Sequence, residues 1–178
     1  MSPAARGART PHGRAAPRPA HCAIVTVSDT RGPREDRSGD LAARLLERAG
    51  HRVARRDWTR DEPAAIRRAV RAALAVRAVD AVILTGGTGV APRDRTPEAV
   101  RPLLDRKLEG FGELFRARSF AEIGTAAWLS RAGAGVARGR LVVYLPGSPA
   151  AVKLALQAIL LPEIHHLLLL LGRPPRST

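Results

Sequence analysis

Apolar residues recur along this chain in two alternating rhythms. Short aliphatic runs at 23–27 (AIVTV), 51–58, 79–85 (VDAVILT) and 141–145 (LVVYL) predict strands. Helical spacing appears between them. Leu41, Leu45, Leu46 and Ala49 share one face, and Gly50 stops that helix. Ile66, Ala69, Val70, Ala73 and Leu74 mark a second amphipathic helix. Thr96-Pro97 reads as an N-cap followed by a first-turn proline, opening a helix to about residue 106. More helix is expected over 110–130, and a final apolar helix follows from Ala150.

Strands separated by helices predict right-handed crossovers, and so a mostly parallel sheet in a three-layer α/β/α domain. In such a sheet, ligands bind beyond the carboxyl ends of the strands. Three loops leave strand ends and enter helices: 28–39, 86–96 and 146–149. If their strands are neighbours, all three converge on one crevice.

The chemistry on those loops points to phosphate. Gly86-Gly87-Thr88-Gly89 lets a ligand reach the backbone, and its glycines permit an anion-holding nest of N–H groups. It lacks the Gly-Lys-Ser/Thr of a P-loop and the third glycine of a dinucleotide fingerprint, and a tight turn is the plainer alternative. Asp94, between Arg93 and Arg95, suits Mg²⁺ held against a nucleotide's phosphates; a solvated loop with local ion pairs competes with that reading. Asp61 is either a helix N-cap or a second carboxylate near the same metal. Ser148, before Pro149, has the same two readings, cap or ligand contact. Ser28 and Asp29 end the first strand, where both site and turn residues occur. His165 and His166 are about 100° apart on a helix and cannot chelate one metal together. No Ser-His-Asp or Cys-His arrangement stands out, which argues against acyl transfer.

The 178 residues suit one domain, expected over 21–171, between a disordered basic tail at 1–20 and a short tail at 172–178. The formal charge of +14 invites a nucleic-acid reading. However, 28 of the 30 basic residues are arginine amid abundant alanine, as a general codon bias would produce. No zinc-finger spacing or aromatic RNA-binding strand accompanies them, so nucleic acid is not the expected partner. A single cysteine, Cys22, excludes an internal disulfide framework. No uninterrupted apolar run reaches the ~20 residues that span a bilayer. No signal-peptide core is visible, and a reducing, cytoplasmic setting is the default expectation.

Seven stretches occur in order: TVSDTR (26–31), DRSG (36–39), LTGGTG (84–89), PRDRTPEA (92–99), EGFGELFR (109–116), EIGTAAWLSRAGAG (122–135) and LPGSPAAV (145–152). Together they resemble the MoaB/Mog family of molybdenum cofactor biosynthesis, related to the gephyrin G domain, over about residues 21–171. The EGFGELFR and EIGTAA stretches look more like the MoaB branch. The resemblance implies a domain that binds molybdopterin and assembles as homotrimers or hexamers alongside other enzymes of the pathway. It further implies AMP transfer from Mg-ATP to the terminal phosphate of molybdopterin, with release of pyrophosphate; a non-catalytic molybdopterin carrier is the alternative. The family's Mg-ATP aspartates fall on Asp61 and Asp94. Its ligand-binding positions fall on Gly86, Gly87, Thr88, Gly89, Thr96, Glu98, Ser130, Arg131, Pro146, Gly147, Ser148 and Pro149, with Ser28 and Asp29 at the first strand's end.

Overall fold

The computed structural model describes residues 18–30 and 32–172. Its strands are β1 (His21–Val27), β2 (Arg52–Thr59), β3 (Ala81–Thr85), β4 (Arg106–Lys107), β5 (Gly133–Ala137) and β6 (Arg140–Leu145). Its helices are α1 (Arg37–Arg48), α2 (Pro63–Ala75), α3 (Thr96–Val100), α4 (Glu109–Ile123), α5 (Pro149–Ala155) and α6 (Leu161–Leu170). One sheet runs β2-β1-β3-β6-β5-β4. β2, β1, β3 and β6 are mutually parallel, while β5 pairs antiparallel with both β6 and β4.

Strand side chains alternate between two cores. Ile24, Ile83, Leu141 and Val143 pack with Leu46 of α1, Phe115 of α4 and Val152 of α5. Val25, Val82, Leu84 and Val142 pack on the other face with Ile66 and Val70 of α2 and Ala99 and Val100 of α3. Helices on both faces explain why the central strands read as unbroken apolar runs. Each fully buried aliphatic side chain contributes about 1.5–3 kcal/mol.

The expected basic tail at 1–20 lies outside the described residues only as far as 17, and the expected C-terminal tail lies outside them from 173. Residues 18–20 belong to the fold. Arg18 grips the buried Asp80 carboxylate with two nitrogens, at 2.7 and 2.9 Å. Ala20 is fully buried, and its N–H donates to His51 Nδ1 at 3.1 Å.

The helix opening at Thr96 ends earlier than the expected residue 106. It gives way to a 3₁₀ turn at Arg101–Leu103, where Pro102 brings no N–H to continue an α-helix. The Asp105 and Leu108 N–H groups then donate to Val136 and Ala134 carbonyls, drawing the chain into the sheet edge as β4. β5 was not expected, because Gly133-Ala134-Gly135-Val136-Ala137 carries little strand propensity. Its glycines answer to packing. A Cβ at Gly133 would lie 2.6 Å from the Tyr144 ring, and one at Gly135 would lie 2.6 Å from the Arg106 carbonyl oxygen. Arg138 and Gly139, at φ +52° and +68°, form the two-residue turn that folds β5 onto β6.

The helix expected over 110–130 is α4 followed by a 3₁₀ turn, Gly124–Leu129, with Gly124 at φ +61° ending α4. The final helix runs through Pro149–Leu170, with a π turn at Leu156–Leu160 just before Pro162. Widening the turn there accommodates the proline's missing N–H. At 22 residues and mean hydropathy 1.4, this helix meets the length and composition of a membrane span. Nevertheless Val152, Leu156, Ile164 and Leu168 bury one face against the sheet, so it is the core helix of this domain.

Candidate functional site

β1, β3 and β6 are neighbours, so the three loops do converge at their carboxyl ends. They enclose a cleft of about 300 Å³ lined by Ser28, Asp29, Asp61, Gly86, Gly87, Asp94, Gly147 and Ser148, among others. A second cavity of about 260 Å³ adjoins it, lined by Thr88, Gly89, Phe115, Leu129, Ser130, Pro146, Ser148 and neighbours. Ser148 faces both. The glycine loop is the wall between them, with Gly86 and Gly87 on one side and Thr88 and Gly89 on the other.

The reason for the glycines lies in the carboxylates. A Cβ at Gly87 would overlap Asp61 Oδ2 and come 2.5 Å from Thr96 Oγ1; one at Gly89 would come 2.7 Å from Asp94 Oδ2. Gly86 and Gly87 also hold φ of +104° and +62°. The loop is therefore stripped of side chains so that both carboxylates can lie against its backbone.

Asp61 does not cap α2. Glu62 occupies the N-cap position, without a side-chain bond. Asp61 Oδ1 instead accepts the Arg95 N–H at 2.9 Å, and its own N–H donates to Asp29 Oδ1 at 2.9 Å. Asp94 Oδ2 accepts the Ala91 N–H at 2.9 Å, closing a local turn. Burial, chiefly, holds the Asp61 carboxyl above its ordinary pKa; the Arg95 N–H opposes this, and the Asp94, Asp29 and Glu98 carboxylates reinforce it. A cation would relieve that repulsion.

Thr96 is the first residue of α3 rather than its cap. Fully buried, it donates its hydroxyl to the Gly86 carbonyl at 2.9 Å, and its N–H donates to the Gly87 carbonyl at 3.0 Å. Both bonds brace the glycine loop. Ser148 keeps both of its readings: Oγ caps α5 by accepting the Ala151 N–H at 3.2 Å, and the residue lines both cavities. Pro149 holds the first helical position behind it.

Glu98 and Arg131 line neither cavity and pair with each other instead. Burial works to raise the Glu98 carboxyl, but its own backbone N–H and the Arg131 and Arg101 guanidinium groups bring it below its ordinary value.

The floor of the cleft holds residues that reasoning from the loops did not single out. Asp36 Oδ2 accepts the Thr26 hydroxyl at 2.7 Å and an Arg56 nitrogen at 3.2 Å, and Oδ1 accepts the Gly39 N–H at 2.8 Å. Ser38 Oγ lies 3.2 Å from Thr85 Oγ1 beside it. The signal was present: Asp36 stands three residues before Gly39 at the head of an apolar helical pattern, where a cap belongs.

Among the described residues, no group of three or more His, Cys, Asp or Glu side chains could hold a metal by themselves. Two hard carboxylates on a phosphate-sized cleft fit Mg²⁺, which keeps several waters and completes its shell with phosphate oxygens. They do not fit zinc or a redox metal, which favour histidine and thiolate.

The chain is similar to known proteins. Residues 23–166 match a family model described as "Probable molybdopterin binding domain". The chain is 48% identical over 158 residues to molybdenum cofactor biosynthesis protein B of Halalkalibacterium halodurans, covering 88% of this chain and 93% of that protein. A crystal structure of a molybdenum cofactor biosynthesis protein B superposes with TM-score 0.86 at 45% identity, covering 89% of this chain and 99% of that one. A tungsten cofactor synthesizing protein MoaB from Pyrococcus furiosus superposes with TM-score 0.74 at 39% identity, covering 89% and 99%.

Proposed function

This chain belongs to the molybdopterin-binding domain family of molybdenum cofactor biosynthesis, and from that premise we propose that it transfers AMP from Mg-ATP to the terminal phosphate of molybdopterin. One observation carries the reading. Asp61 and Asp94, from separate loops, meet on the glycine wall between an acidic cleft and a second, more apolar cavity. The acidic cleft suits the nucleotide's phosphates, and the second cavity, with Phe115 and Leu129 in its lining, suits the flat pterin.

In this reaction a terminal phosphate oxygen of molybdopterin attacks the α-phosphorus of ATP. The bond from that phosphorus to its bridging oxygen breaks, and pyrophosphate leaves with the electron pair. The substrate phosphate is the nucleophile, so the protein supplies position and charge rather than a nucleophilic side chain. Asp61 and Asp94 would hold Mg²⁺, which would neutralise triphosphate charge when bound. The glycine loop offers backbone to the phosphates, with Thr96 bracing it from below. Ser148 stands where the two substrates would meet.

Exposed Phe120, Ile123 and Trp128, the last 74% accessible, support assembly as a homotrimer or hexamer. Cytoplasmic residence with the other enzymes of the pathway is part of the same proposal.

The test is adenylylation by purified protein with molybdopterin and Mg-ATP, with Asp94→Ala in parallel. Adenylyl-molybdopterin from the parent and at most about 1% from the variant is the expected result. Tight molybdopterin binding with no product from the parent would establish the carrier reading instead.

A further inference from the structure

Arg131 lies just beyond the Gly124–Leu129 turn, opposite the glycine loop. Its backbone N–H donates to the Thr88 carbonyl at 2.9 Å. Its Nε donates to the Gly89 carbonyl at 2.8 Å, and a terminal nitrogen donates to the Asp94 carbonyl at 2.6 Å. The other terminal nitrogen pairs with Glu98. These partners bracket the segment that carries Asp94. Only a planar guanidinium fork can reach all three side-chain partners at once; lysine offers a single ammonium.

Two observations tie this clasp to the second cavity. Ser130, the adjoining residue, lines it, as does Thr88, whose carbonyl Arg131 holds. Among the described residues the Thr88 hydroxyl, buried at that cavity, has no hydrogen-bond partner, whereas buried hydroxyls are ordinarily satisfied.

We propose that Arg131 is a positioning residue that fixes the Asp94 loop and passes occupancy of the second cavity to the carboxylates. The coupling half rests on the assignment of Mg-ATP to the acidic cleft and the pterin to the second cavity. A ligand bonded to Thr88 Oγ1 or Ser130 immobilises both ends of the Arg131–Thr88 contact. The loop then loses less freedom when Mg-ATP arrives, so each ligand tightens the other by the same factor.

The experiment uses the full chain, with Arg131→Lys and Arg131→Gln. Amide hydrogen exchange is read at Ala91, Asp94, Arg95 and Thr96, whose N–H groups are bonded within the loop or to Asp61. Both variants should exchange there about tenfold faster, with the amides of β1 and β3 unchanged. Calorimetry then measures the affinity for Mg²⁺ with α,β-methylene-ATP, a Mg-ATP analogue whose α–β bridge cannot be cleaved, with and without saturating molybdopterin. The parent should tighten about fivefold, and both variants should lose that gain. Parent-like loop exchange, or a faster-exchanging sheet, would overturn the positioning role. Parent-like coupling in Arg131→Gln would overturn the transmission. A parent that binds no Mg-ATP would refute the proposed function and the coupling with it, while the exchange result still decides the positioning role by itself.

Discussion

Gly87→Ala separates backbone strain from damage to the carboxylate site. Gly87 sits at φ +62°, where an L side chain costs roughly 1–2 kcal/mol. Its Cβ would also strike Asp61 Oδ2 and lie 2.5 Å from Thr96 Oγ1. Asp61 must then move, and the 2.9 Å bond from the Arg95 N–H is lost, a further ~1.5–3 kcal/mol for a charge-assisted bond. The expected total is about 2.5–5 kcal/mol. Gly50→Ala is the control: φ is +81°, with nothing within 4 Å of its Cβ, so only the backbone cost applies. For a domain of this size, that places Tm about 2–8 °C lower in the control and about 5–20 °C lower in Gly87→Ala. Thermal melting followed by Mg-ATP calorimetry reads both effects. Mg-ATP affinity should fall at least about tenfold in Gly87→Ala and stay at the parent value in Gly50→Ala. Equal melting losses with unchanged Mg-ATP binding would refute the claim that this glycine exists to make room for Asp61.

Asp61→Asn keeps the oxygen that accepts the Arg95 N–H but removes a charge whose pKa is raised by burial and like charges. That charge costs the ligand-free fold stability as pH rises through the raised value, so at pH 7 the variant should melt no lower than the parent while binding Mg-ATP at least about tenfold more weakly. For the same reason, Mg-ATP affinity of the parent should fall as pH drops through the raised Asp61 value, and Asp61→Asn should flatten that dependence in a pH series of titrations. His51 is held below its ordinary 6.5 by burial first and then by His165, while its Nδ1 accepts the Ala20 N–H. The unfolded chain therefore takes that proton first, and melting temperature should drop as pH falls below 6.5; His51→Asn should lessen the drop. The Cys22 thiol, pushed up to about 12 by burial and by Asp80, should resist a thiol reagent at pH 8 and react only on denaturation, as a colorimetric thiol count would read.

The pattern of the chain determined the layers and the location of the site. Aliphatic runs alternating with amphipathic helices demand a parallel sheet covered on both faces, and the carboxyl ends of such strands are where loops gather. The glycine loop, Asp94 and Ser148 were legible because their residue types restrict what the backbone and a ligand can do there. Other features were invisible along the chain. β5 is built from glycine and alanine, whose small size suits Tyr144 and Arg106 on neighbouring strands rather than any local preference. α3 stops short because Pro102 and the sheet edge compete for the same segment. The role of Asp61 was ambiguous for the same reason. In sequence it stands where a cap would, and only the fold brings the Arg95 N–H and the side-chain-free surface of Gly87 against it. Arg131 shows this at its furthest. Nothing within ten residues of it predicts its bonds, because its partners lie 33 to 43 positions earlier and meet it only when the sheet has folded. Local pattern determines the central strands, the helices that cover them and the edge where their loops gather; packing and long-range hydrogen bonds, made on assembly, decide the sheet's far edge and which side chains hold the site in place.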